Sequence, residues 1–78
     1  MKALFNSSCI KGVFLRNDTN SHIELEITYV NDNETRWISR KSVTDMSDFK
    51  YHNDKYTKQY ERIKEALSKK QTFVEIEL

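Results

Sequence analysis

This sequence predicts an α+β fold: a small, mostly antiparallel sheet of four to five strands with one helix, in the C-terminal half, packed on one face. Three observations predict it. The segment "HIELEITYV" (22–30) alternates apolar and polar residues with the period of a strand. The stretch from Lys55 to Lys70 carries apolar residues at helical spacing, and the closing "TFVEIEL" alternates once more. A helix laid on an antiparallel sheet buries the apolar sides of both. The order expected along the chain is β-β-β-β-α-β, in one domain covering residues 1–78, because a chain of 78 residues has room for a single core.

The elements follow in turn. "KALFNSSCIKGVFLR" has strand character at both ends, which predicts one strand near 2–8 and a second near 10–16, or a single long bent strand. Gly12, the only glycine, marks a turn or bulge in this segment. "NDTNS" (17–21) reads as a turn. In the next strand Ile23, Leu25, Ile27 and Tyr29 share a face, against Glu24, Glu26 and Thr28. "NDNE" reverses the chain, and "TRWISRKSV" returns it as a hairpin partner. Two registers compete. A two-residue loop sets Ile27 opposite Ile38 and Glu24 opposite Lys41. A three-residue loop sets Tyr29 opposite Trp37, Ile23 opposite Val43 and Glu26 opposite Arg40. The second is preferred because it gathers apolar groups on one face and opposite charges on the other.

"TDMSDF" (44–49) offers helix caps in its Thr, Ser and Asp residues, and Asn53 offers a later one. On a helical wheel Tyr56, Tyr60, Ile63 and Leu67 fall in one sector, the spacing of a face packed on a sheet. The lysines that interleave with these aromatics in sequence therefore point elsewhere in space. In the last strand Val74, Ile76 and Leu78 form one face, and Phe73, Glu75 and Glu77 the other.

Composition narrows the class of function. Thirteen Lys and Arg stand against twelve Asp and Glu, a formal charge of +1. No global field draws the chain to nucleic acid or membrane, so any electrostatic role depends on local segregation of charge. Cys9 is the lone cysteine, which excludes an intrachain disulfide and favours a reducing compartment. No apolar run has the length of a membrane span, and the opening residues lack the unbroken core of a signal peptide. The expectation is a soluble, cytoplasmic protein with no membrane association.

Two basic groupings stand out. "RWISRK" places Arg36, Trp37, Arg40 and Lys41 within six residues, the chemistry of interface hot spots and of single-strand clamps. On the helix, Lys55, Lys58, Arg62 and Lys69 fall in one sector, with Asp54, Glu61 and Glu65 beside it. The acidic neighbours speak for a self-neutralising surface and against a groove that tracks phosphates. A further grouping is acidic: if the strands carrying Glu24 and Glu26 and those carrying Glu75 and Glu77 lie close together, four carboxylates collect on one side of the sheet. Catalytic and metal-ligating patterns are absent from the sequence. His22 and His52 lack ligand-spaced neighbours, and Cys9 reads as a small buried hydrophobe. The expectation is no enzyme, no cofactor and no metal.

In size and composition, rich in Asn, Lys and Ile and lacking Pro, the chain is similar to products of compact viral or plasmid genes. That similarity implies a stoichiometric inhibitor or adaptor. The reading is a non-catalytic protein-interaction domain that blocks a partner by steric and electrostatic means. The alternative is a nucleic-acid-binding accessory protein using the basic helix ridge and the hairpin strand. A homodimer through a free sheet edge is compatible with both.

Overall fold

The computed structural model describes residues 2–19 and 21–78. The elements are β1 (Lys2–Asn6), a 3-10 turn (Ser7–Cys9), β2 (Ile10–Arg16), β3 (His22–Asn31), β4 (Asn33–Ser42), α1 (Met46–Ser68) and β5 (Phe73–Glu77). The order β-β-β-β-α-β and the α+β class are those the sequence predicts. The strands form two antiparallel hydrogen-bonded units, β2-β3-β4 and the ribbon β1-β5. The terminal strand thus returns beside the first. The turn expected over 17–21 includes Asn20, which with Met1 lies outside the described residues.

Alternation along β3 determines the core. Ile23, Leu25 and Ile27 are fully buried, and α1 covers them with Tyr56, Ile63 and Ala66. Tyr60 and Leu67 pack at the margin, so the four-residue wall expected on the helix faces inward. The Tyr56 hydroxyl stays satisfied within the core by a 2.9 Å hydrogen bond to Ser39 Oγ. The ribbon covers the other end of the sheet: the Phe5 ring meets Tyr29 and Trp37 edge-on, with centroids 5.3 and 5.8 Å away. Val74 and Ile76 of β5 complete the core, and Gln59 Oε1 of α1 accepts the Glu77 backbone N–H at 3.2 Å.

One boundary differs from expectation, and a second is decided between the two caps the sequence offers. The first strand stops at Asn6, not near residue 8, because Asn6 Oδ1 accepts from both Ser8 N (3.0 Å) and Ser8 Oγ (2.8 Å) and draws the chain into a tight turn. Ser7 then anchors that turn to the helix–β5 loop, its N–H donating to Thr72 O and its hydroxyl to Gln71 O. The helix begins at Met46, well before Asn53. Asp45 Oδ1 caps it by accepting from Asp48 N at 2.8 Å, while Asp48 Oδ2 accepts from Thr44 N at 3.1 Å. Asn53 instead sits mid-helix and accepts from Asn17 Nδ2 at 2.9 Å, tethering the chain that leaves β2.

The hairpin takes neither expected register. Ile27 pairs with Trp37, Glu26 with Ile38 and Glu24 with Arg40, so β4 is displaced by two residues from the preferred alignment. Asp32 at the apex adopts φ 73°, and this left-handed residue lets the chain reverse between Asn31 and Asn33. An even displacement preserves the faces, and Trp37 still shares a side with Tyr29. β2 pairs with β3 through a bulge between Ile10 and Gly12, near where the sequence places one.

Candidate interaction surface

The face of β2-β3-β4 turned away from the helix is built in three rows by the strand registers. Arg16, Glu24 and Arg40 form the first row, Phe14, Glu26 and Ile38 the second, and Gly12, Thr28 and Arg36 the third. In the first row both arginines close on one carboxylate: Arg16 Nε lies 3.3 Å from Glu24 Oε2, and Arg40 Nη2 lies 2.9 Å from Glu24 Oε1. Arg40 Nε adds a hydrogen bond to the same oxygen at 3.1 Å. In the third row the small residues Gly12 and Thr28 leave space for Arg36, which leans diagonally to place Nη1 3.3 Å from Glu26 Oε1.

These contacts cover Glu24 and Glu26 to 7% and 8% exposure, although no helix lies over them. The arginines remain largely in solvent. A guanidinium carries five N–H donors, and those not aimed at the carboxylates point outward. Phe14 and Ile38, the cross-strand neighbours of Glu26, are 59% and 50% exposed. The surface therefore presents two apolar side chains astride a covered carboxylate, ringed by three arginines held from beneath.

The other residues singled out in the sequence are dispersed. Trp37 is half-buried on the inner face against Phe5. Arg40 and Lys41 approach Lys55 around an open depression of about 290 Å³ that His52, Ser39, Tyr56 and Leu78 also line. Lys55, Lys58 and Arg62 are exposed along α1, with Lys55 Nζ 5.8 Å from the centre of the Tyr51 ring. Lys69 turns onto Glu65 at 2.6 Å, and its hydrogen bond and charge hold the Glu65 carboxyl below the usual carboxylate range. Glu75 and Glu77 lie on β5, in the ribbon, where Lys2 Nζ approaches Glu75 at 3.9 Å. The four carboxylates do not gather: Glu24 and Glu26 belong to the other sheet and are occupied by arginines.

Sequence reasoning passed over Arg16 and Phe14. Their importance comes only from the β2-β3 register, which sets Arg16 opposite Glu24 and Phe14 opposite Glu26. Cys9 is half-buried near Tyr29 and Asn31. His22 Nδ1 contacts Ser21 Oγ at 3.2 Å, and His52 Nε2 contacts Asp48 Oδ1 at 3.1 Å. Among the described residues no three of His, Cys, Asp and Glu come close enough to hold a metal ion, and no helix is long and apolar enough to cross a membrane. The chain matches no family model, no curated protein and no solved structure.

Proposed function

We propose that this chain is a non-catalytic protein-interaction domain, a small inhibitor or adaptor of the viral or mobile-element kind. It works in the cytoplasm and occupies a partner surface through the helix-free face of its three-stranded sheet. The observation that carries this reading is the exposure of Phe14 and Ile38 side by side across Glu26, within the ring of Arg16, Arg36 and Arg40. Exposed apolar groups framed by arginine are what interface hot spots are made of. Glu24 and Glu26 already fix the arginines, so docking restricts little further side-chain freedom. The partner chemistry this face fits is an apolar contact flanked by carboxylates, which the outward guanidinium N–H groups would receive.

The test must leave the ion pairs in place, because stripping the arginines would uncover two carboxylates and reverse the charge the face presents. Phe14→Ser combined with Ile38→Ser meets that condition. Wild-type protein immobilised and exposed to extract from its native host, with nuclease, should retain a protein partner that the folded double variant does not. Equal retention by the two proteins would remove this face from consideration.

A second reading, a nucleic-acid-binding accessory protein, is favoured by the exposed row Lys55, Lys58 and Arg62 on α1. Phosphate contact predicts an affinity that falls steeply with added salt. Absence of binding to single- and double-stranded probes at low salt would dismiss it.

A further inference from the structure

The three-stranded sheet has two outer strands, and they are protected unequally. β2 is interrupted by the bulge between Ile10 and Gly12. β4 pairs with β3 without interruption from Asn33 to Ser42, contains no proline, and forms no backbone hydrogen bond to another element along its outer edge among the described residues. Bulges, prolines, short length, inward-pointing charges and charged side chains along the edge are the usual protections of a sheet edge. From Asn33 to Ser39, β4 has only the last, in Glu34 and Arg36, and charges of opposite sign on one strand can pair across a two-fold axis.

We propose that a second copy of this chain pairs antiparallel along the outer edge of β4, with Trp37 opposite Trp37 of the partner subunit. The result is a continuous six-stranded sheet with two-fold symmetry. Charge and face selection argue for this occupant and this register. A displacement by an odd number of residues would put the open face of one copy beside the covered face of the other, so only even displacements continue both faces. With Trp37 on the axis, Glu34 falls opposite the partner's Arg40, twice by symmetry, and Arg36 falls opposite the partner's Ile38. Opposite charges directly across a strand pair attract, and like charges there destabilise. Moving the axis to Arg36 opposes Arg36 to the partner's Arg36. Moving it to Ile38 opposes Arg36 to the partner's Arg40. Among the face-continuing alignments that pair nine residues of β4, the Trp37 register is therefore the one in which no like charges face each other. It also pairs the two half-buried indoles across the seam, beside the Phe5 rings that already line them.

This inference is independent of the docking face, since an isologous edge contact leaves Phe14 in the open and sets two copies of the arginine face side by side. The experiment is sedimentation equilibrium at sub-millimolar concentration, at low salt, on the full chain. The expected mass is twice the 9.3 kDa of the chain. Glu34→Arg should give a folded monomer, since it meets the partner's Arg40. Glu61→Arg, the same charge change on the exposed helix, should remain a dimer. A monomeric wild type, a larger assembly, a dimeric Glu34→Arg variant or a monomeric Glu61→Arg variant would each overturn the proposal. A second measurement avoids reliance on Glu34. With Cys9→Ser and a nitroxide on Lys41→Cys, the two labels should lie about 27 Å apart, at about 3.4 Å per residue along the paired strands. No dipolar coupling, or a clearly different separation, would also overturn it.

Discussion

β3 is covered on both sides, by opposite means. Its odd residues, Ile23, Leu25 and Ile27, have no exposure because a helix and a ribbon are packed on them. Its even residues, Glu24 and Glu26, are nearly as well covered with nothing layered above, because Arg16, Arg36 and Arg40 from the flanking strands fold over them. Apolar packing on the first side requires no orientation and expels water. On the second side the cover is itself charged and hydrated, so one layer both satisfies the carboxylates and meets the outside. The lesson is that a carboxylate on the wet side of a strand need not be a wet carboxylate. Its neighbours across the sheet decide, and those neighbours form the proposed docking face.

The largest loss of stability is expected on the apolar side. Ile27→Ala should lower unfolding free energy by about 3 kcal/mol, the cost of a cavity beneath the helix, read by chemical denaturation. The ionic side should lose less, because its cover and its charge partners are the same side chains. Arg16→Ala with Arg40→Ala takes both partners from Glu24 and at the same time opens it to water, and should cost about 1 kcal/mol. Glu24→Gln frees two arginines that water already reaches, and should cost about 1 kcal/mol or less by the same measurement. A loss from either variant as large as that of Ile27→Ala would mean that the ionic cover holds the fold as firmly as the apolar one.

The smallest effect sharpens the contrast by placing the same chemistry in full solvent. Glu65 and Lys69 form an exposed pair on α1, and the lysine lowers the Glu65 pKa. The stabilisation from this pair is present above the unfolded-state carboxylate pKa and disappears as pH falls through the lowered folded value. Lys69→Ala should return the Glu65 titration, followed by carbonyl NMR, toward the ordinary carboxylate range and leave the denaturation midpoint near neutral pH almost unmoved. A large shift in the midpoint would show that surface pairs carry more of this fold than exposure suggests.

Much of the architecture is legible in the chain because it rests on periodicity. "HIELEITYV" declares its buried face, and Tyr56, Tyr60, Ile63 and Leu67 declare the helix face that meets it. Features that depend on one backbone torsion or one hydrogen bond are not legible in the same way. The hairpin register follows from Asp32 at φ 73°, and an Asn- and Asp-rich loop is equally compatible with several lengths. The helix start follows from Asp45 winning over other good caps, and Asn53, equally suited by type, is used to hold Asn17. Arg36 and Arg40 are visible in "RWISRK", but the surface they belong to is not. It needs Phe14 and Arg16, which are distant in sequence and brought there by strand pairing alone.

The proposed function requires a partner to be met on the open sheet face and not on the ribbon or the helix. Saturation transfer from an unlabelled captured partner to the methyl groups of the labelled chain tests it directly. The Ile38 methyls should be attenuated, while those of Leu4, exposed on the ribbon, and of Leu67 on the helix should not be. Attenuation at Leu4 or Leu67 with Ile38 unaffected would contradict docking on that face.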